Sequence, residues 1–366
     1  CLAAMCGNLR QNTEECAMRK QKLKALVCAI CLLLCGCSTQ PRLSERAIVK
    51  AIYLDQTGDI IEAALVVFTC DSGTDLSSVN GQARVYTGSG NSVDAAITAA
   101  EEKQNKKPFY AQNELLLIGN GAMQGKATSL LQYFTEEETL RQNLHVFYTP
   151  ALCSEIVAYE PRMTEIVRVC EGMIHRLSGK TQFAQSVYAL RENACGYLPV
   201  LKLQDSETMP VQADGLLLVQ NGCAVASIDG IAMQLVPVLS EQTSTLTLRF
   251  AADDIDTTVV MQNLFLEKDI ENNCLSLRLC GKAERCTQNG RTLQKDDGRH
   301  VIACANEQLE RAFTALHEIT FLHKNDVFNF AWWLRQQNNA EVEQALSDDA
   351  FYKPQRVRFQ SSIHAA

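Results

Sequence analysis

The sequence predicts an α+β fold of more than one domain, with mixed or antiparallel sheets flanked by helices. Three observations predict it. Runs rich in Ile, Val and Leu are separated by turn residues, amphipathic helical segments lie between them, and residues 211–286 have the pattern of strands almost throughout. The hydrophobic content of 46% over 366 residues is enough to bury a core.

Strands and helices are mixed in residues 37–205, the predicted N-terminal α+β region. Residues 46–55 and 59–70 flank Gln56-Thr57-Gly58, which predicts a hairpin. Residues 71–81 are rich in Ser, Gly, Asp and Asn, which predicts a loop. Ser92 is predicted to cap a helix that runs to about Lys106, before Pro108. Further strands are predicted at 114–118 and 144–148, and further helices through 130–134, 163–177 and 182–191.

At about residue 205 the pattern changes from mixed helices and strands to an almost continuous strand pattern, which predicts a domain boundary there. Residues 206–366 are then the predicted C-terminal α+β domain. Its clearest element is a hairpin of residues 216–220 and 223–228, because Asn221-Gly222 supplies the two positive-φ positions of a type I′ turn. Strands are predicted at 245–250, 257–262 and 274–280, followed by a long amphipathic helix through 301–319 and a final strand at 357–363.

The first 36 residues have the pattern of an export signal. Residue 1 is Cys and Met18 stands directly before a basic run, so residues 1–17 are expected to lie upstream of the true start. Residues 18–36 then read as a signal peptide, since Lys and Arg at 19–24 lead into a ten-residue apolar run at 25–34. That run is too short for a stable span, which takes about 20 residues.

Residues 34–37 have the form of a lipobox, with the aliphatic Leu34, then Cys35 and the small Gly36, then Cys37. The thiol of Cys37 would receive a diacylglyceryl group, and cleavage before it would make it the N-terminus. Two acyl chains suffice for stable anchoring, whereas one chain binds only marginally. The alternative is an ordinary secretory signal with an incidental cysteine.

Composition excludes several classes of function. Residues 37–366 carry 29 Lys and Arg against 40 Asp and Glu and have no basic stripe, so nucleic acid is not expected as a partner. Nine cysteines after Cys37 are scattered along a large chain, and Cys274, Cys280 and Cys286 recur every six residues, which is not a zinc spacing. Small buried hydrophobic residues are the simpler interpretation of these three.

The candidates for chemistry are weak, and no catalytic residue, metal site or cofactor is predicted. The glycines of 119–125 lie one place out of register for a dinucleotide turn, and Gly88-Ser89-Gly90 lacks the lysine of a phosphate-binding loop. Asp253 to Asp256 lacks the glycine and glutamate of a calcium loop. His317 and His323 are six apart, a poor spacing for a zinc pair.

Four aromatic residues near the C-terminus, which include both tryptophans, are candidates for partner contact: Phe328, Phe330, Trp332 and Trp333. Core packing is an equally natural interpretation. Adjacent residues of a helix or strand face different ways, so we expect Trp332 in the core and Trp333 at a contact surface.

With these segments in order, the chain resembles the Ger(x)C family, the lipoprotein C subunit of spore germinant receptors. The resemblance covers nearly all of residues 37–366. The chain differs from the family pattern at Ile228-Asp229-Gly230 and at Ala331-Trp332-Trp333. Its carriers are the residues at 43–49, Tyr53-Leu54-Asp55, Thr87-Gly88, those at 93–96, 113–119, Ala122, Gly125, and those at 141–148, 214–230 and 324–330.

The resemblance implies a non-enzymatic subunit in nutrient-triggered spore germination. Such a subunit is anchored through Cys37 to the outer face of the spore inner membrane, beside two integral membrane subunits, A and B. The alternative function is a solute-binding lipoprotein of a transport system, against which the strand-rich stretch argues. An extracytoplasmic hydrolase would need a nucleophile or metal set that was not found.

Overall fold

Long runs of β-branched residues and leucine form a mixed sheet in the first part of the chain. The computed structural model describes residues 46–69, 83–125, 127–136, 144–176, 183–190, 194–206, 208–271, 274–328, 330–337 and 356–365, and the predicted signal peptide, Cys37 and the loop at 71–81 lie outside them. The nine strands of this first sheet are β1 (Arg46–Thr57), β2 (Ile60–Thr69), β3 (Ala83–Gly90), β4 (Lys107–Phe109), β5 (Leu115–Ile118), β6 (His145–Tyr148), β7 (Cys195–Leu203), β8 (Val211–Gln220) and β9 (Cys223–Ile228).

Its strand order is β3-β2-β1-β5-β6-β7-β8-β9, with β4 also beside β1. Pairing is parallel from β1 through β5 and β6 to β7, and antiparallel on both sides of that block. Both predicted hairpins are confirmed. Asn221 and Gly222 have φ of 53° and 75°, as the type I′ turn requires.

Helices cover both faces of the first sheet. Its helices are α1 (Val93–Glu101), α2 (Ala127–Glu136), α3 (Cys153–Ala158), α4 (Met163–Arg176) and α5 (Phe183–Ala189), with a 3-10 turn at Glu160–Arg162. One face packs on α1, α2 and α5 to form core 1, and the opposite face packs on α3 and α4 to form core 2. Burial on both faces is typical of the parallel part of a sheet.

A second sheet follows, made of β10 (Leu246–Ala252), β11 (Ile255–Glu271), β12 (Cys274–Gln288), β13 (Arg291–Thr292) and β14 (Val357–Ala365). Its strands are antiparallel except for β14, which pairs in parallel with β12. The other three helices described are α6 (Gly230–Leu239), α7 (Lys295–Leu322) and α8 (Phe330–Gln336). They pack on this sheet in core 3, which confirms the α+β class.

Residues 216–219 of strand β8 take part in two cores because their side chains alternate between the faces of the sheet. Leu217 and Val219 lie in core 1, whereas Leu216 and Leu218 lie in core 3. Strands β8 and β9 lie in the predicted second domain, but the strand order places them in the first sheet. The domain boundary at 205/206 stays a prediction.

Two element predictions are wrong. The stretch 211–286 is not all strand, because α6 occupies Gly230–Leu239. Short apolar runs cannot be assigned to helix or strand by periodicity alone, and Gly230, with φ of 58°, turns the chain out of β9. Helix α1 does start at the Ser92 cap, whose Oγ accepts from Ala95 N at 3.1 Å, but it ends at Glu101 and not near Lys106. Residues 103–106 are all polar and have no apolar side chain to pack.

Candidate partner-contact site

The turn between α7 and α8 positions the aromatic residues that the sequence singled out. Lys324, just beyond the end of α7, has φ of 50° and turns the chain away from the helix. The next residue, Asn325, is fully buried, and its Nδ2 donates to Val219 O of β8 at 3.0 Å. Asp326 then accepts from Phe330 N and Ala331 N at 2.8 Å each, and so satisfies two amides at the start of α8.

Phe328 and Phe330 are core residues. They are 5% and 6% exposed, and their ring centroids lie 4.9 Å apart within core 3. Burying two aromatic rings fixes the face that α8 turns to the sheet.

The expectation for the two tryptophans is wrong in its order. Trp332 is 63% exposed, whereas Trp333 is partly buried against core 3. Phe330 and Leu334 are the buried residues of α8, and position 333 follows Phe330 by three residues on the same face. Position 332 falls on the other face. Trp332 is therefore the exposed aromatic residue of this cluster.

A cleft of about 350 Å³ opens beside Trp332 and Trp333, with Leu239, Leu266 and Phe328 among its other lining residues. Lys268 of β11 lies in it, with Nζ 5.7 Å from the centroid of the Trp333 ring. Its ammonium also forms an ion pair with the exposed Glu241. No sequence pattern pointed to Lys268 or Glu241, because their position in this cleft depends on tertiary packing. A large exposed aromatic beside a charged cleft is suited to contact with another protein.

The turn after β5 is filled by a side chain. Asp55, 5% exposed, accepts from Gln56 N at 2.8 Å and from Ala122 N at 2.9 Å through Oδ1. A Cβ on Gly119 would lie 2.3 Å from the Asp55 carboxyl carbon, so this glycine permits the close approach. A carboxylate thus occupies the place where a phosphate-binding turn would hold its ligand.

The cysteines of β12 do not share one environment. Cys286 is buried, as predicted, but Cys274 and Cys280 are half-buried. A register shift in the pairing with β11 puts Cys286 on the inner face and the other two on the outer face. Burial raises the pKa of Cys280 and Cys286, which keeps both thiols protonated. Among the described residues, no group of three or more His, Cys, Asp or Glu could hold a metal ion.

His300 lies close to an acidic residue and to a thiol. His300 Nε2 lies 2.9 Å from Asp253 Oδ2 and 3.8 Å from Cys304 Sγ. Both neighbours approach the same ring nitrogen, whereas a catalytic relay needs the acid on one nitrogen and the nucleophile on the other. This exposed arrangement therefore does not form a catalytic triad.

The fold defines a two-sheet α+β protein, and Trp332 is its exposed aromatic residue beside the cleft. Residues 40–203 match the family model described as the spore germination protein N-terminal domain. This match covers somewhat less than half of the chain and identifies these residues as a spore germination protein N-terminal domain. This confirms the family resemblance.

A solved structure supports the fold over most of the chain. The crystal structure of the GerBC protein superposes with a TM-score of 0.52 at 12% identity, covering 86% of this chain and 96% of that one. No curated protein sequence matches the chain. Across the described residues, none of the helices has both the length and the apolar character needed to span a bilayer.

Proposed function

We propose that the chain is a non-enzymatic, lipid-anchored subunit of a germinant receptor complex that acts in nutrient-triggered spore germination. Its anchor is Cys37, and its location is the outer face of the spore inner membrane. The observation that carries the proposal is the combination of a spore germination domain at residues 40–203 with a lipobox directly before it. Its partners are the integral membrane A and B subunits.

The lipid anchor has a physical role in this assembly. Residues 37–366 carry a net charge near −11, which gives no attraction to anionic lipid, so the acyl chains supply the membrane affinity. Confinement to the membrane raises the effective concentration of the subunit for membrane partners. Weak contacts with the A and B subunits then suffice for assembly.

Replacement of Cys37 tests the anchor. Cys37→Ala removes the thiol that accepts the diacylglyceryl group, so we expect the protein to leave the membrane fraction after a high-salt wash. Cys35→Ala is the matched control, because Ala is also small and leaves Cys37 in place. Mass spectrometry of the mature N-terminal peptide checks the modification. If Cys37→Ala pelleted as firmly as Cys35→Ala, the anchor would lie elsewhere.

The contact role of the aromatic site is tested with Trp332→Ala. At 63% exposure this change should alter the free energy of unfolding by less than about 0.5 kcal/mol. Co-purification with the membrane subunits should fall at least about tenfold, as for a tryptophan at a binding hot spot. Tyr188→Ala, at an aromatic residue 59% exposed, is the control. Equal recovery of partners with both variants would remove Trp332 from the interface.

A further inference from the structure

Strand β11 is paired on one of its sides along only part of its length. Strand β10 pairs with residues 255–261 of β11, and β12 lies along the other side. Leu264 N donates to Ser244 O at 2.9 Å, just beyond β10. From Phe265 to Ile270 no described strand lies on this side. About 20 Å of strand, at about 3.4 Å per residue, therefore has an edge that another strand can reach.

The backbone groups of this free β11 edge (residues 265–270) lack a strand partner. Alternate residues of a strand direct their N–H and C=O groups to the same side, so those of Leu266 and Lys268 point the same way as those of Leu264. No backbone hydrogen bond joins Leu266 or Lys268 to another described segment on that side. The N–H of Ile270, next in this series, donates to the side chain of its own neighbour, Asp269 Oδ1, at 2.8 Å. An unpaired row of donors and acceptors is a template for another strand.

The inner side of the free β11 edge opens on the cleft beside the tryptophans. Leu266 and Lys268 line that cleft together with Trp332 and Trp333. The charge of Lys268 is offset there, because its ammonium pairs with Glu241. A strand added at this edge would turn every second side chain towards the cleft, where Leu266, Trp332 and Trp333 offer apolar contact.

The outer side of the same edge is acidic. Phe265, Glu267 and Asp269 alternate with the inner row and are exposed. Arg278 of β12, 3.6 Å from Glu267, offsets one of the two carboxylates. Opposite charges on neighbouring strands stabilise their pairing and like charges weaken it. The outer row therefore favours a strand that carries Lys or Arg on its solvent side.

We propose that the free β11 edge binds an extended segment of a partner protein as an added strand, with apolar side chains turned to Trp332 and with Lys or Arg turned to Glu267 and Asp269. The inference rests on the proposed function for the identity of the partner, whereas the pairing itself depends on β11 alone. A second copy of this chain fits less well, because two free β11 edges would bring the carboxylates of both copies together.

Peptide binding to the full chain, purified in detergent, tests the proposal. The probe is a heptapeptide of alternating lysine and valine with blocked termini. Tryptophan fluorescence reports on the site directly, because both tryptophans of the chain line the cleft. We expect saturable binding with a Kd on the order of 0.1 to 1 mM, given a few backbone hydrogen bonds and a small apolar contact. Amide hydrogen exchange of residues 265–270 should slow at saturation.

Two altered peptides separate the backbone from the charge. The same peptide with N-methylated amides cannot donate to the edge, and a peptide with glutamate in place of lysine meets like charges. Both should bind at least about tenfold more weakly than the probe. Equal binding of the N-methylated peptide would contradict an added strand.

Variants of the protein locate the binding. Lys268→Pro removes an N–H from the free edge but none from the pairing with β12, and Lys268→Ala is its control because it keeps that N–H. The probe should bind Lys268→Pro at least about tenfold more weakly than Lys268→Ala, with the fold of both confirmed by circular dichroism. Asp269→Lys should also weaken binding, whereas Asp256→Lys, at an exposed position that β10 covers, should not.

The outcomes distinguish this inference from the proposed function. Equal affinity of Lys268→Pro and Lys268→Ala, or no saturable change with the probe, would overturn the added strand. If that happened while Trp332→Ala still lowered the recovery of the membrane subunits, the contact role of Trp332 would stand without strand pairing. Self-association of the chain that Lys268→Pro abolishes would make the occupant a second copy, and would overturn the choice of partner.

Discussion

The outer edges of the two sheets, at β3 and at β14, are both covered by side chains instead of by another strand. At β3, Val85 N donates to Glu160 Oε2 at 2.9 Å and Ala83 N donates to Thr164 Oγ1 at 3.2 Å. Thr87 O accepts from Lys103 Nζ at 2.7 Å. These three side chains come from α4, the 3-10 turn before it and the segment after α1.

At β14 the cover comes from one helix. Asn306 Oδ1 accepts from Ile363 N at 3.0 Å, and Asn306 Nδ2 donates to Ile363 O at 3.2 Å. Glu310, one turn further along α7, accepts from Ser361 N. Uncovered strand edges invite pairing with other chains, so these side chains protect the β3 and β14 edges. The β3 edge is held by three elements, whereas the β14 edge depends on two side chains of α7.

The largest effect is expected for Asn306→Ala. This change removes three hydrogen bonds, because Asn306 Oδ1 also accepts from Ser361 Oγ at 2.6 Å. We expect the free energy of unfolding to fall by about 2–4 kcal/mol, measured by urea denaturation. Because its β14 edge is uncovered, the variant protein should also self-associate, as measured by sedimentation velocity. Glu307→Ala, at the next and exposed residue, should do neither, and equal behaviour of the two variants would contradict the role of Asn306.

A smaller effect is expected for Glu160→Ala at the β3 edge. Glu160 accepts from Val85 N and pairs with Arg84 at 3.0 Å, so its loss should cost about 1–2 kcal/mol in the same denaturation experiment. Thr164 and Lys103 still hold the edge, so the variant should stay monomeric. Glu160→Gln keeps an acceptor oxygen and should recover part of the loss. A cost as large as that of Asn306→Ala would mean that the β3 edge also depends on one residue.

The smallest expected effect is on the pH dependence of stability. It arises from His317 of α7 and not from the side chains that cover β3. Burial lowers the folded-state pKa of His317 below its ordinary value of 6.5, with Glu318 opposing this shift. The stability due to the neutral ring is therefore full above pH 6.5 and is lost as the pH falls below it, by at most about 1.4 kcal/mol per pH unit. Urea denaturation at pH 7.5 and 5.5 should show this loss in the wild type. His317→Phe should show less of it, and equal losses would contradict the assignment.

Elements with strong local signals were predictable from the sequence. The Ser92 cap, the Asn221-Gly222 turn and the apolar spacing of α7 each depend on residues close in sequence, and all three are confirmed. Helix α6 was missed because its apolar run has no clear period. The C-terminal end of α1 was predicted too late in the chain, because Pro108 shows only where a helix must have ended and not which residue is its last.

The contacts that define the sites were not predictable, because they join distant parts of the chain. Glu160 reaches a strand 75 residues away, and Asn306 reaches one 57 residues away. For Trp332 and Trp333 the sequence correctly required opposite orientations. Which one is buried depends on where Phe330 and Leu334 anchor α8, and this is decided by the packing of core 3.

Strand β8 has a consequence for how this protein can change over evolutionary time. Since Leu216 and Leu218 lie in one core and Leu217 and Val219 in another, this stretch has no solvent face on which polar substitutions would be neutral. A single-residue insertion within it would exchange the two sets of side chains between the cores. Sequence drift here is therefore confined to apolar residues of similar size, while the exposed positions of the second sheet can diverge freely.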